Sequence, residues 1–462
     1  MNNKKIYNSI IKIVTSDVIF DTNIPYNIIK QQKSIGAGFY IDNEGHILTA
    51  AHCVKNTIDI TINIPKYGKK NFKGEIICVY PDFDLAIIKI IDYKINYNLI
   101  LGDSDKLNIG DEVYALGYPD GSNHPLRTAG TISGRRDIFI QGDVPLNPGN
   151  SGGPVFNKNH EVVGVSAAKL SDSEDSSLIV PINIFKNVKN IMLKSKNKII
   201  YKNVLGILLR NNDKFYLDYH NIVDTKNKGV IVGKILDKSP LKHLISEGDI
   251  ICKINDINID YYGEINVDWE EAKVPINYII ERTLPNDTID LDVFDIKKKK
   301  NIQLKNINLM SLNELYPIRE IFTHIEKYSY EVFGGIIVMN LTLDHIKETF
   351  KHLVYLIIND DIYNPYLIIS HIFENSKISQ LESISAGLIL DKVNDLTVRT
   401  IEDYRKALMS PIIVNSKKYL KIKPLSSYNE FIIDLETLLE EEPKFIDFYK
   451  YNESESYLAL KN

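Results

Sequence analysis

Asn147-Pro148-Gly149-Asn150-Ser151-Gly152-Gly153-Pro154 sets one hydroxyl in a turn with three glycines. A serine hydroxyl is a poor nucleophile at neutral pH and needs a base beside it. Glycines keep side chains away from Ser151 and let backbone N–H groups converge on one space. The turn Gly149, Asn150, Ser151 can therefore form an oxyanion hole, with the N–H groups of Gly149 and Ser151 as donors worth ~3–4 kcal/mol each. The candidate base is His52, within Leu48-Thr49-Ala50-Ala51-His52-Cys53-Val54 at a strand end. A neutral imidazole can take the Ser151 proton and return it to a leaving amine. Asp82-Phe83-Asp84-Leu85-Ala86 offers two carboxylates. Asp84 abuts the apolar run Leu85 to Ile90 and is preferred as the group that fixes the His52 tautomer; Asp82 is left to the loop surface.

Around these segments the chain reads as short strands. Ser9 to Val14, Gly38 to Asp42, His46 to Ala50, Ile58 to Ile62, Glu75 to Tyr80, Leu85 to Ile90, Glu112 to Gly117, Arg127 to Ser133, Ile138 to Gln141 and Val162 to Ser166 are separated by turn residues. Regular short strands without helices between them predict an all-β barrel or sandwich. Pro181 opens a helix to about Lys196, with Phe185, Val188, Ile191 and Met192 on one face. That helix ends a first domain at 1–198.

The 462 residues leave room for about three domains. Residues 251–259 (Ile-Cys-Lys-Ile-Asn-Asp-Ile-Asn-Ile) and 390–398 (Leu-Asp-Lys-Val-Asn-Asp-Leu-Thr-Val) repeat a strand, an Asn-Asp turn and a strand. Each is preceded by a glycine-plus-aliphatic run, Gly229-Val230-Ile231-Val232 and Gly335-Ile336-Ile337-Val338. Two related modules, 199–308 and 309–462, are expected. The Lys297 to Lys300 run reads as a solvated hairpin tip.

Composition narrows the function. Hydrophobic residues make up 44% and charged residues 25%, the balance of a soluble globular chain. The net charge of -5 argues against a nucleic-acid partner. No apolar run approaches the ~20 residues of a spanning helix, so no membrane partner is expected. Three separated cysteines make neither a disulfide framework nor a zinc site. Nothing calls for a metal or another cofactor, and no phosphate-binding lysine motif suggests an attached ATPase. Lys4 and Lys5 precede an apolar stretch that Asn8, Ser9 and Lys12 interrupt, with no small-residue cleavage site after it. The expected compartment is intracellular, cytosolic or nuclear.

Thr-Ala-Ala-His-Cys, Asp-Phe-Asp-Leu-Ala and Gly-Asn-Ser-Gly-Gly-Pro resemble the triad signatures of trypsin-like serine proteases. Gly36-Ala37-Gly38-Phe39, Leu116-Gly117-Tyr118-Pro119 and Pro181-Ile182-Asn183 bring the HtrA/Deg group closest. Gly248-Asp249-Ile250-Ile251 followed by Lys253-Ile254-Asn255-Asp256 resembles a PDZ domain of that group, and the last module resembles the divergent second PDZ domain of plant multi-PDZ Deg proteases. The resemblance implies a mainly β protein: a trypsin-like double β-barrel followed by two PDZ-like α/β modules. It implies a catalytic triad of His52, Asp84 and Ser151, and an ATP-independent endopeptidase acting on unfolded or damaged polypeptides in protein quality control. It also implies homo-oligomers, trimers or hexamers. In the S1 pocket, Pro145 stands where a trypsin-like acid would be, and Val165, Ser166 and Ala167 form the wall. Uncharged aliphatic P1 residues are therefore expected. Leu205-Gly206-Ile207 resembles the carboxylate-binding loop of the first PDZ module, which would take C-terminal peptides; the second lacks an evident counterpart. Asn150 replaces the aspartate of zymogen-activated relatives, and Cys53 lacks their disulfide partner. A competing function is a PDZ peptide-binding scaffold or chaperone with a vestigial protease domain.

Overall fold

The short apolar runs of the first 181 residues close into two six-stranded barrels. The computed structural model describes residues 3–91, 93, 98–169, 177–196, 198–222, 228–358, 361–381, 384–425 and 430–461. After a short helix α1 (Asn3–Asn8) come β1 (Ile10–Phe20), β2 (Ile28–Tyr40), β3 (His46–Thr49), β4 (Thr57–Asn63), β5 (Asn71–Tyr80) and β6 (Leu85–Ile90). They form a closed barrel in the order β1-β2-β3-β6-β5-β4. The second barrel uses β7 (Glu112–Gly117), β8 (Leu126–Arg136), β9 (Phe139–Gly142), β10 (Pro154–Phe156), β11 (Val162–Lys169) and β12 (Ser177–Pro181). Its order is β10-β11-β12-β9-β8-β7. Strands β3 and β6 are buried along nearly their whole length, which explains why they read as continuous apolar runs.

Helix α2 (Ile182–Lys194) follows Pro181 directly. Its Phe185, Val188 and Met192 join a cluster with Phe39, Leu48 and Leu85 from one barrel and Tyr114, Phe156 and Val165 from the other. Burying each such side chain contributes ~1.5–3 kcal/mol. Ile191, expected on the same face, is only half-buried.

Two compact units divide the chain: residues 1–17 with 32–315, and residues 18–31 with 316–462. The far ends of β1 and β2, with the turn between them, thus belong to the second unit. The first unit holds both barrels and then β13 (Asn203–Val204), β14 (Ile207–Arg210), α3 (Lys214–Tyr219), β15 (Val230–Ile235), β16 (Ile250–Ile254), β17 (Ile257–Asn258), β18 (Glu264–Val267), β19 (Glu270–Pro275), α4 (Asn277–Glu281), β20 (Thr288–Asp295), β21 (Lys300–Asn308), β22 (Met310–Ser311) and α5 (Leu312–Leu315). The sheet runs β14-β15-β16-β20-β21, and β13 pairs with β22 instead. Lys297 to Lys300 are exposed at the β20–β21 hairpin.

The second unit contains β23 (Tyr330–Phe333), β24 (Ile336–Asn340), α6 (Tyr355–Ile358), β25 (Leu367–Ile372), β26 (Ile389–Val393), β27 (Leu396–Thr397), α7 (Ile401–Leu408), β28 (Ile412–Val414), β29 (Lys417–Pro424), β30 (Phe431–Asp434), α8 (Leu435–Tyr449) and α9 (Glu455–Lys461). Its sheet runs β23-β24-β25-β26-β29-β28. The repeated Asn-Asp pairs are tight turns in both modules. Asn255 and Asp256 have φ 46° and 64°, and Asn394 and Asp395 have φ 48° and 64°, the left-handed pair of a two-residue hairpin. The strand before β26 is β25, which has no leading glycine; Gly335 instead opens at β24, one strand further out.

Candidate active site

Strand β3 ends at Thr49, and Ala51–Val54 makes a single 3-10 turn that carries His52 off the barrel. On β3's other neighbour, a 3-10 turn over Pro81–Phe83 ends at Asp84 with φ 50°, a left-handed conformation that aspartate tolerates. Asp84 holds His52 by two hydrogen bonds and its neighbour Ala51 by a third. Its Oδ1 accepts from the His52 N–H at 2.8 Å, its Oδ2 lies 2.7 Å from His52 Nδ1, and its carbonyl accepts from the Ala51 N–H at 3.0 Å. Asp82 points elsewhere, its Oδ2 accepting from the Lys202 N–H at 2.8 Å. Burial disfavours an imidazolium at His52, but the Asp84 carboxylate and the Cys53 thiol outweigh it and hold the imidazole above its ordinary range.

The serine turn is fixed by close backbone approach. A Cβ on Gly149 (φ 98°) would lie 2.1 Å from the Tyr118 carbonyl oxygen, and one on Gly152 (φ 82°) would lie 2.2 Å from Thr49 Oγ1. Only glycine fits either place. The Ser151 carbonyl accepts from Ala37 N–H at 2.8 Å, and Gly152 N–H donates to Ser166 O at 2.7 Å. Ser151 is thereby pinned between the two barrels. The Asn150 N–H is engaged, donating to Asn147 O at 2.9 Å. Among the described residues the N–H groups of Gly149 and Ser151 have no acceptor. Two free donors thus flank the hydroxyl, and the middle amide of the turn is spent on the turn itself.

The hydroxyl does not reach the imidazole. Ser151 Oγ donates to Ala167 O at 3.3 Å, and the group beside His52 Nε2 is Cys53 Sγ at 3.6 Å. Cys53 sits over Gly36, whose added Cβ would lie 2.8 Å from Sγ. Cys53, which has no disulfide partner, is half-buried and touches the imidazole. Cys78 and Cys252 are buried, and burial pushes both thiols up to about 11.

Val165 and Ser166 are buried in β11, and Ala167 forms the bulge there whose carbonyl holds Ser151. Pro145 is exposed, and its carbonyl accepts from Asn150 Nδ2 at 3.4 Å. Asp143, the acid nearest in sequence, is tied to the N–H and hydroxyl of Thr131. Leu205 and Gly206 (φ 67°) lead into β14, far along the chain from the serine turn. Among the described residues no cluster of His, Cys, Asp or Glu could hold a metal ion, and no helix is long and apolar enough to cross a membrane.

Residues 36–165 match the family of trypsin-like peptidase domains. This region is a trypsin-like peptidase domain. A probable periplasmic DegP-like serine endoprotease of Pseudomonas putida (strain W619) is 32% identical to the chain over 238 residues, 49% of this chain and 48% of that protein. A putative mitochondrial protease Do-like 3 of Arabidopsis thaliana is 28% identical over 357 residues, covering 74% and 61%. The chain spans about half the length of the Pseudomonas relatives it matches. Among solved structures, the HtrA-type protease AlgW with a tripeptide superposes with a TM-score of 0.51 at 21% identity, over 66% of this chain and 95% of that one. The likeness is one of fold: closed six-stranded barrels followed by a β-rich region.

These relatives overturn the expectation of a cytosolic or nuclear chain, for they are named as periplasmic and mitochondrial proteins. Cys53, Cys78 and Cys252 are free and sit in separate elements, and isolated thiols say nothing about a compartment's redox state.

Proposed function

We propose that the chain is an ATP-independent serine endopeptidase of the HtrA/DegP type that cleaves unfolded polypeptides. Ser151 is the nucleophile, His52 the base and Asp84 the group that orients the imidazole. The observation that carries this reading is the double hold of Asp84 on His52, facing a glycine turn whose two flanking amides are free. With substrate bound, Ser151 Oγ leaves the Ala167 carbonyl, turns to His52 Nε2 and attacks the scissile carbonyl as its proton passes to the imidazole. The N–H groups of Gly149 and Ser151 receive the oxyanion. The imidazolium, steadied by Asp84, then protonates the departing amine. Free catalytic hydrogen bonds are often made only in the substrate complex. The small wall of Val165, Ser166 and Ala167, without an acid at Pro145, favours uncharged aliphatic P1 side chains.

The deciding test is hydrolysis of β-casein by wild type and Ser151→Ala, with fluorophosphonate labelling mapped by mass spectrometry. The variant should lose at least ~10³-fold in kcat and all labelling; equal activity removes Ser151 from the mechanism. Lys or Arg dominating at P1 in the casein fragments refutes the pocket. Asp84→Asn should lower kcat by about 10⁴-fold. Because the carboxylate raises the imidazole pKa, and the base must be neutral, the same variant should move the acid limb of the pH–rate profile to lower pH.

A peptide site completes the reading. Strand β14 ends its sheet, so its outer edge is free among the described residues, and the Gly206 N–H has no acceptor. An extended C-terminal peptide can add to β14 with its carboxylate on the Leu205–Ile207 loop. AlgW was solved with bound peptides, which supports the assignment.

A further inference from the structure

The second module carries the same architecture with its edge filled. A peptide adding to a PDZ-like sheet would run antiparallel to the strand after the glycine loop, with its C-terminal end at that loop. In the second unit that strand is β24, and β23 already occupies its outer edge. The register pairs Tyr330 with Met339, Glu331 with Val338, Val332 with Ile337 and Phe333 with Ile336. The C-terminal end of β23 meets the loop Gly334–Gly335, so it runs in the direction a peptide would take.

Three further side chains hold it there. Arg405 of α7, the helix flanking this edge, pairs its Nε with Glu331 Oε2 at 2.7 Å and donates from Nη2 to the Tyr330 carbonyl at 3.2 Å. Glu331 is 2% exposed, so its carboxylate is buried while the Arg405 side chain stays partly exposed. The loop itself is supplied with a carboxylate from within: the Gly334 N–H donates to Glu442 Oε2 at 2.7 Å, and Glu442 Oε1 accepts from Tyr451 OH at 2.8 Å. Glu442 is fully buried. Tyr26, from residues 18–31 of the same unit, packs on Tyr330 and Tyr451 with ring centroids 6.3 and 5.8 Å apart.

We infer that Tyr330–Phe333 is a built-in ligand of the C-terminal module, with the Glu442 side chain in place of a peptide carboxylate, so that the module accepts no external peptide while β23 is seated. The inference rests on the peptide-site reading of β14 only for its contrast; the closure is a property of the second unit alone. The chain then binds one C-terminal peptide, not two.

The test uses the full chain with Ser151→Ala to prevent cleavage. A decapeptide ending in valine with a free carboxylate, bearing a benzophenone, is photo-crosslinked and the adducts are mapped; hydrogen exchange is measured in parallel without peptide. Adducts confined to residues around 205–210, with amides 331–333 protected at least ~10-fold beyond exposed loops, are expected. Arg405→Ala should speed exchange of 331–333 and create adducts around 336–340, and Arg405→Lys should restore much of the protection. Glu331→Lys, which sets two cations face to face, should open the edge by a second route. Adducts around 336–340 in the parent protein overturn the proposal. So does rapid exchange of 331–333, whatever the peptide does. If both opening variants speed exchange but neither gains an adduct while β14 is labelled, the edge is not a peptide site and the proposal fails. Failure of β14 to bind any peptide, with 331–333 protected, refutes the first module's peptide site and leaves the closure standing.

Discussion

The two sheets that follow the peptidase domain differ in the segment just before the edge strand. In the first, Asn203–Val204 pairs with Met310–Ser311 and so turns away from β14. In the second, Tyr330–Phe333 folds straight back on β24 through Gly334 and Gly335, with φ 66° and 82°. A two-residue turn with both φ values positive is the tightest way to lay one strand beside the next. Two adjacent glycines therefore convert a receptive edge into an occupied one. The comparison teaches that likeness of fold does not carry over likeness of binding, because the site lies on an edge and edges are decided by their neighbours.

The sharpest test of this contrast is the turn glycine. A Cβ on Gly335 would lie 2.5 Å from Ser376 Cβ, at φ 82°. Gly335→Ala should destabilise the second unit by at least ~3 kcal/mol, combining left-handed strain with a clash that backbone must relieve. Gly206→Ala, whose Cβ would be 3.1 Å from Ser239 Cα at φ 67°, should cost the first only ~1 kcal/mol. Denaturant melts followed by hydrogen exchange of each module read both. Equal losses would mean that the two loops are under equal constraint.

Acid separates the modules next. Burial raises Glu442 to about 7, against the hydrogen bonds from Tyr451 and Gly334, with Glu331 adding repulsion. A carboxyl with a raised folded pKa holds more protons folded than unfolded between about 4.5 and 7. The second unit should therefore lose up to ~3 kcal/mol as pH climbs through that window. Tyr26, Tyr404 and Tyr451 face the same pocket but stay neutral throughout it, burial raising each of them. Glu442→Gln should flatten the dependence; an unchanged profile would show that Glu442 is charged or neutral in both states alike.

The first unit should respond in the opposite sense and more weakly. Arg282 grips Asp105 with bonds of 2.6 and 3.1 Å and lies over the Trp269 ring at 4.1 Å. Burial opposes the Asp105 charge, but the guanidinium and Asn183 outweigh it and depress the carboxyl. Stability from this pair is present above the unfolded aspartate pKa and is lost as pH falls through the depressed value. Arg282→Met should cost about 1 kcal/mol at pH 7 and less in acid. Thermal melts at pH 7 and at about pH 2 check the sign; a larger loss at the lower pH would contradict it.

The catalytic candidates were legible because their information is local. His52, Asp84 and Ser151 each lie in a short segment whose glycines, strand ends and turn residues declare the conformation. What sequence missed lies in long-range pairing. Gly334-Gly335 between β-prone residues signals a hairpin, yet Gly335 read as the start of an aliphatic strand matching Gly229. Only Glu442 and Arg405, 108 and 74 residues from their partners, show that the hairpin seals an edge. The Cys53 contact was hidden for a different reason: adjacent residues in a 3-10 turn bring their side chains together in a way that neither strand nor helix periodicity anticipates. Residues 18–31 had no reading at all, since β1 and β2 run well beyond the apolar stretches that revealed them.

Those fourteen residues have a topological consequence. Residues 316–462 share a compact body with a piece of chain that left the ribosome some three hundred positions earlier. Ser370 Oγ donates to the Asn23 carbonyl at 2.8 Å, and Ile24 and Tyr26 sit in the apolar cluster around Ile337 and Phe373. A single cut after Leu315 would therefore not shed the last third of the protein. The two pieces should migrate as one species on a native gel and part only in detergent.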